Sequence, residues 1–409
     1  ISQTQGWCIA RQRSYAADFD GHIGDVKIYD QVYTQVIQTR ALGPTPADGS
    51  IGVDTSTTLQ WSTALDPTNQ SQPNPAVTKH YLYLNTEPNF LNTTPIVITA
   101  MGATGSYPVT LLMDTTYYWR VDKVGGAPDF TIYEGSVLDF KTEAHAYPIG
   151  KVIATASSSQ ASWRPENTVN GSGLDTNCGH STDDKSMWLS AAAGPQPTWI
   201  QYEFDAVYTL HEMWVWNHNL AGEAFLGFGF KNVTVQYSTN ATDWTTLGDV
   251  EFAQATGKDG YAHNTAVSFN DVPAKYVRLT VTSNWRGATG PCGLSEVKFF
   301  YIPTQARQPE PASGQKGVGV HADLSWRPGR QAASHRVYFG SDKQGVTNGD
   351  ALVATTADTL FDPGPLNLGM TYYWRVDEVN EAETPGVWEG DLWNFSTREY
   401  VVVDDFESY

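Results

Sequence analysis

The residues of this 409-residue chain that could carry reaction chemistry are scattered, and none falls into a hydrolytic spacing. No Gly-x-Ser-x-Gly turn presents a nucleophilic serine, and no glycine-rich loop cradles phosphate. His211-Glu212 lacks the second histidine, four residues on, that a metalloprotease helix needs. Carboxylate pairs occur at Asp183-Asp184 and Asp404-Asp405. Glycoside hydrolysis sets two carboxyls across a cleft, and adjacency in sequence does not supply that separation. The reading is therefore non-catalytic. Lys plus Arg number 25 against 44 Asp plus Glu, a net charge of −19, which argues against phosphate-backbone binding and removes nucleic acid as a partner. No run of apolar residues reaches the length of a membrane span. The first residues, Ile1 to Arg11, lack the basic start and apolar stretch of a signal peptide, and the chain starts without Met, so something upstream is expected to have been removed.

The elements that must position any site are strands. Charged residues make up 17% and aromatic residues 12% of the chain, a composition that excludes disorder and suits half-buried strands. An internal repeat organises them. Thr116-Tyr117-Tyr118-Trp119-Arg120-Val121-Asp122 recurs as Thr371-Tyr372-Tyr373-Trp374-Arg375-Val376-Asp377, and the same offset relates His80 to His335, Glu134-Gly135 to Glu389-Gly390, Phe140 to Phe395 and Thr142 to Thr397. Leu59-x-Trp61 and Leu324-x-Trp326 match at an offset ten residues larger, so a turn-rich insertion lies between Trp61 and His80. No ligand partners recur beside His80 and His335, which read as strand histidines. Alternation at Leu-x-Trp and β-formers at 80–84 predict strands, and about seven of them in about 100 residues make a small sandwich.

Both copies resemble a fibronectin type III domain, over 44–147 and 304–399. Between them, 148–303 carries an ordered series: Ala154 to Ser158, Pro165 to Gly171, Met187 to Ser190, Trp199 to Phe204, Val233 to Ser238, Asp243 to Thr245, Ala274 to Leu279 and Gly293 to Val297. This order resembles the discoidin or coagulation-factor C-type domain, a jelly roll whose bacterial members include family 32 carbohydrate-binding modules. Residues 1–43, with Phe19-Asp20-Gly21 and Asp25 to Asp30, resemble the closing strands of a laminin-G or concanavalin-like jelly roll, and 400–409 resemble the first strand of a further module. The expected fold is all-β: tandem β-sandwiches, with a discoidin-like jelly roll between two fibronectin type III-like sandwiches, after a partial laminin-G-like jelly roll. The module order resembles large secreted bacterial proteins of the planctomycete kind.

The discoidin resemblance implies a Ca²⁺ site, because hard cations take loop carbonyls and carboxylates. Its expected ligands are the turn Asn170-Gly171-Ser172, the hydroxyl of Ser186 before Trp188, Glu296, and the backbone oxygens of Asn167 and Ser295. Asp175, Asp183 and Asp184 in the insertion at 173–185 could add the charge that Asn170 lacks. If that insertion and Glu296 share an ion, Cys178 and Cys292 approach each other. A disulfide, with an oxidising compartment, is then expected, the alternative being two buried thiols. Sugar binding needs an aromatic face and a few planar or charged donors. Trp163-Arg164, Asn217-His218-Asn219, Phe225, Lys231 and Trp285-Arg286 fall between strands, where such modules bind, and are the candidates.

Two functions follow. The first is an extracellular or cell-surface array that binds glycans or polysaccharide. The second is an adhesive or fibre-forming protein, in which a terminal strand completes the neighbour's partial module and copies associate head to tail.

Overall fold

The computed structural model describes residues 42–62, 77–99, 104–128 and 130–400. The laminin-G-like segment with Cys8, the insertion after Trp61 and the strand expected at 401–409 lie outside the described residues. The protein is all-β, built of several sheets. It divides into two compact units, Ile1–Ala144 and His145–Tyr409.

The first unit contains β1 (Leu42–Thr45), β2 (Ser50–Val53), β3 (Ser56–Ser62), β4 (Val77–Asn85), β5 (Ile96–Ile98), β6 (Thr104–Thr110), β7 (Thr116–Gly125), β8 (Ile132–Tyr133) and β9 (Leu138–Thr142). One sheet runs β1-β3-β6 and the other β2-β9-β7-β4-β5, with β8 on β7. Their inner faces close on Leu59, Trp61, Leu82, Trp119, Val121 and Phe140.

The second unit opens with β10 (Tyr147–Pro148), β11 (Val152–Ala156), β12 (Trp188–Leu189), β13 (Trp199–Asn217), β14 (Phe230–Ser238), β15 (Thr245–Glu251), β16 (Thr265–Asn284) and β17 (Gly293–Ile302). Their order is β10-β17-β13-β16-β14-β15, with β11 on β13 and β12 on β17. The two longest strands, β13 and β16, make this a two-layered roll. The first half of β13 pairs β11 and its second half pairs β17, with a register break between Glu203 and Tyr208. The core between the layers holds Trp188, Tyr202, Phe204, Phe230, Phe252, Phe269 and Phe299.

The last sandwich repeats the first. Strands β18 (Arg307–Glu310), β20 (Leu324–Arg327) and β23 (Leu360–Phe361) form one sheet, after β19 (Gln315–Val318) and β21 (Ser334–Gly340) are set aside for the other. That second sheet runs β19-β26-β24-β21-β22, with β22 (Leu352–Thr356), β24 (Thr371–Val379), β25 (Val387–Trp388) on β24, and β26 (Trp393–Thr397).

The repeated residues are the ones this architecture cannot vary freely. The indoles of Trp61 and Trp119 meet at 6.3 Å between ring centroids, and those of Trp326 and Trp374 at 6.4 Å. Tyr117 accepts the Leu112 N–H at 3.1 Å and Tyr372 accepts the Asn367 N–H at 3.0 Å, tying the start of each strand to the turn before it. Asp122 accepts the Gly135 N–H at 2.9 Å and Asp377 the Gly390 N–H at 3.0 Å. A side chain at Gly135 would strike the carbonyl of Val121, and one at Gly390 that of Val376, which explains the recurring Glu-Gly. The glutamates contribute less: each faces an arginine but is 70% exposed, where an ion pair stabilises by about 0–1 kcal/mol.

The two copies differ beneath the tryptophan. His80 is buried, and its Nδ1 accepts the Trp61 indole N–H at 2.8 Å. In the other copy His335 Nδ1 is hydrogen-bonded to Glu378, which stands where the first copy has Lys123. Burial, and then the charge of Lys123, pushes the His80 pKa from 6.5 down to about 4. The unfolded state therefore takes up a proton first as pH falls, so the His80 contribution is complete above about 6.5 and is lost progressively towards about 4. We expect the calorimetric transition of the N-terminal sandwich to move to lower temperature across that window, and His80→Gln to flatten this dependence. A transition insensitive to pH in the wild-type chain would contradict the assignment.

Candidate functional site: one loop end of the central roll

The sequence run Asn217-His218-Asn219 leaves the end of β13, just past an irregularity between Trp216 and Asn217. All three side chains are buried, so the expectation that they face a ligand is corrected. Asn217 donates to the carbonyls of Phe230 and Ala253 at 2.7 and 2.8 Å and accepts from the N–H groups of His218 and Phe230, both at 2.9 Å. Asn219 donates towards the carbonyls of His180, Ser181 and Lys258 and accepts the Gly257 N–H at 2.9 Å. These amides replace ladder partners that the loop backbones lack.

His218 lies between them. Its Nδ1 meets Glu223 Oε2 at 2.9 Å, and Glu223 Oε1 accepts the Gly229 N–H at 2.6 Å. Glu223 begins the single turn α1 (Glu223–Leu226), bounded by Gly222 and Gly227 in left-handed conformation. The turn pushes Phe225 into solvent, 93% exposed. Trp163 stacks on His218 at 5.6 Å, Phe228 meets the same ring edge-on at 6.0 Å, and the Arg286 guanidinium sits 5.7 Å above Phe228. Trp285 is held by its backbone N–H to Gly229 O and its indole N–H to Phe252 O, with Lys231 Nζ 4.7 Å above the ring. The structure thus brings Trp163, Lys231, Trp285 and Arg286 to one loop end, with Phe225 beside them. Glu223 and Phe228 escaped the sequence reading, although the glycines framing Glu223 to Phe230 marked a tight loop.

A second cluster surrounds Glu296, which is buried on β17 opposite Trp216. Both of its oxygens accept from the Gly171 N–H, at 3.3 and 3.1 Å. Burial pushes its pKa up to about 8, against the opposing pull of the Gly171 N–H and Lys298. Asn170, Gly171, Glu296 and Lys298 line one cavity of about 370 Å³. Asn167 stands 3.5 Å from Asn170 through their side-chain amides and donates to the carbonyls of Lys185 and Met187, both at 2.9 Å. Ser172 gives its N–H to Asn170 Oδ1 at 2.9 Å. The Ser186 hydroxyl and two of the acidic side chains of the insertion are engaged elsewhere. Ser186 Oγ donates to Asp183 O at 2.7 Å. Asp175 accepts from Asn177 and Gly179, and Asp183 from Lys185, so these acidic residues cap their own turns. Among the described residues no three His, Cys, Asp or Glu side chains converge. Glu296 and Asn170 offer oxygen donors of the kind a hard cation takes, with Lys298 on the same cavity wall.

This roll, with its loop-end cluster and buried carboxylate, is the part of the chain that comparison with known proteins recognises. Residues 153–297 match the F5/8 type C domain. No curated protein matches the chain. Among solved structures, the chain resembles a family 89 glycoside hydrolase from Clostridium perfringens at 14% identity and TM-score 0.27, with 38% of this chain and 14% of that one covered. The family 32 module of C. perfringens NanJ, in complex with galactose, is 12% identical at TM-score 0.29, with 38% and 98% covered. A third, the CBM32-3 module of a family 31 glycoside hydrolase from C. perfringens, is 21% identical at TM-score 0.30, with 38% and 95% covered.

Within the F5/8 type C domain the two cysteines are free, which corrects the expected Cys178–Cys292 disulfide. Cys292 is packed in the core with its N–H on Ser190 Oγ, and burial pushes its pKa up to about 12. Cys178 sits in a separate cluster with Trp216 and Tyr261, its carbonyl accepting the Trp216 indole N–H at 3.0 Å and its sulfur 3.5 Å from Lys298 Nζ. A thiolate is the reactive form, so in the native protein we expect an alkylating reagent to label Cys178 and to spare Cys292 until the chain is unfolded. Recovery of a Cys178–Cys292 cross-link by peptide mapping without reduction would overturn this.

Proposed function

We propose that the F5/8 type C domain binds carbohydrate at the loop end formed by Trp163, Phe225, Lys231, Trp285 and Arg286. The observation that carries this is the seating of these side chains: two half-exposed indoles and an exposed phenyl ring, with Lys231 and Arg286 held over neighbouring aromatic rings. Flat apolar faces suit the C–H side of a pyranose, and the cations supply donors for its hydroxyls. His218, Asn217 and Asn219 act from below, by fixing the loops. A cavity of about 690 Å³ elsewhere, lined by Tyr208, Tyr301, Arg307 and Trp388, is a crevice between the central and last sandwiches and lacks this arrangement.

The second part of the proposal is a Ca²⁺ ion at Glu296. The buried carboxylate, with the Gly171 N–H on it and Asn170 on the same cavity wall, supports it. When bound, the ion supplies the positive charge that burial denies Glu296 and ties the loop at 167–172 to β17.

The flanking sandwiches, which share one strand order, are read as fibronectin type III-like spacers in a non-catalytic, extracellular multi-module protein. No helix among the described residues is long and apolar enough to cross a membrane.

Two measurements test the proposal. On a glycan array the full chain should bind a restricted set of sugars. Trp285→Ala and Phe225→Ala should each weaken that binding by roughly tenfold or more, in the range of an aromatic anchor. Trp244→Ala, whose ring lies under Arg278 on a distant strand, should leave it unchanged. Binding that survives both loop-end substitutions contradicts the site. Separately, Ca²⁺ should raise the melting temperature of the central domain by mass action and chelator should lower it. Glu296→Gln should abolish the response, and an identical response in that variant would refute the ion's placement.

A further inference from the structure

The loop end carries two cations that the protein leaves without counter-charge. Lys231 Nζ lies 4.7 Å over the Trp285 ring, and that indole is fixed by its N–H on the Phe252 carbonyl at 3.2 Å. The Arg286 guanidinium lies 5.7 Å over Phe228, which stands edge-on to the buried His218 ring. Its stem is placed by the backbone. The Arg286 N–H reaches the Gly227 carbonyl at 3.2 Å and Asn284 Oδ1 at 3.0 Å. A side chain at Gly227, whose φ is +61°, would meet Arg286 Cγ at 2.7 Å. Long side chains seated in this way lose less freedom when a ligand binds.

Four other cations that lie over aromatic rings are answered within the chain. Arg120 has Asp122 and Glu134, Arg375 has Asp377 and Glu389, Lys275 has Glu203, and Arg278 donates twice to Gln201 Oε1. Among the described residues the charged heads of Lys231 and Arg286 have no such oxygen. The acids of the neighbouring segments are engaged or stand apart. Buried Glu223 is taken by His218 Nδ1 and the Gly229 N–H. Asp249 accepts the Thr234 hydroxyl at 2.6 Å, and exposed Glu251, opposite Asn232 on the next strand, makes no ion pair with Lys231. Arg164, beside Trp163, is shared with Glu166 at 3.6 Å and adds less. The chain as a whole is at −19, but at physiological ionic strength charges act over about 8 Å, so the groups at the loop end decide what it attracts.

We propose that this loop end selects sugars bearing an anionic group, a carboxylate or a sulfate ester, over their neutral counterparts. The inference rests on the carbohydrate reading above and names the class of sugar for that same surface. The half-exposed indoles take the C–H face of the ring, and Lys231 and Arg286 receive the charged substituent at its edge. A neutral hydroxyl needs no charged donor. Charge-assisted hydrogen bonds are roughly twice as strong as neutral ones, and a guanidinium fork matches two oxygens of one anion.

The test sets the full chain against matched pairs of oligosaccharides on one array: galacturonate and mannuronate oligomers beside their methyl esters, and sulfated galactan oligomers beside their desulfated forms. In at least one arm the anionic member should bind roughly tenfold more tightly than its neutral partner, the effect of two partly exposed ion pairs. Which arm responds tells which anion is read. Lys231→Gln and Arg286→Gln should each cut that ratio roughly threefold while neutral binding persists. Lys343→Gln, exposed on the last sandwich, should leave the ratio unchanged. Trp285→Ala should weaken both members of a pair. If either cation variant fails to fold, a salt series on the wild-type chain decides, because only the anionic member should weaken as salt rises. No preference for the anionic member in either arm, or a ratio that survives both cation substitutions, overturns the proposal. Neutral sugars bound through Trp285 without anionic preference would leave the loop-end site standing and sink only the selectivity. Binding indifferent to Trp285 would remove the site and this inference with it.

Discussion

Backbone groups that leave a sheet must still be hydrogen-bonded, and at the loop end of the central roll two asparagines meet that requirement. Asn217 and Asn219 together reach five carbonyls and three N–H groups, across the start of β14, the segment at 253, and the loops at 180–181 and 257–258. Each such bond adds only about 0.5–1.5 kcal/mol net, but leaving a buried group unmade costs about 1–3 kcal/mol, so the set is nearly all-or-none. Trp285 is hydrogen-bonded to Gly229 and Phe252, beside two of these partners, and Trp163 stacks on His218 between the two asparagines. In the binding proposed here, these rings would be held ready by groups the ligand never meets.

Two buried carboxylates in the same domain show how environment separates roles. Glu223 receives His218 and the Gly229 N–H and is completed inside the protein. Glu296 has the Gly171 N–H and, at a distance, Lys298, and its proton is held up to about pH 8 by burial. A group that is satisfied internally fixes a loop. One that is not becomes the place where outside charge can act.

The sandwiches were legible because their constraints recur in type and spacing: Trp61 with Trp326, the Tyr-Tyr-Trp-Arg-Val strand, and a glycine where any side chain would meet a carbonyl. The roll was legible in the ordered series of its motifs, and the places of Trp163, Trp285 and Arg286 in their falling between strands. Asn217-His218-Asn219 was misread because alternation reports only which face of a strand is buried. It is silent past the irregularity after Trp216, where polar residues turn inward to serve backbone. The disulfide failed on a similar ground. Its argument needed Asp175 and Asp183 to turn toward Glu296, whereas both carboxylates are used by N–H groups of their own turns, and Cys178 is held at φ +59° under Trp216 instead. Sequence shows which oxygens exist and not which donors reach them first.

Whether the loop end is a preformed carbohydrate surface is the central question for this protein's function. Nitrogen-15 chemical-shift mapping of the full chain, titrated with a bound glycan, tests it most directly. The indole N–H signals of Trp163 and Trp285 and the side-chain N–H of Arg286 should shift, while the side-chain amides of Asn217 and Asn219 stay in place as the fixed frame beneath. Shifts confined to any other part of the chain, or movement of the two asparagine amides with the indoles unperturbed, would contradict it.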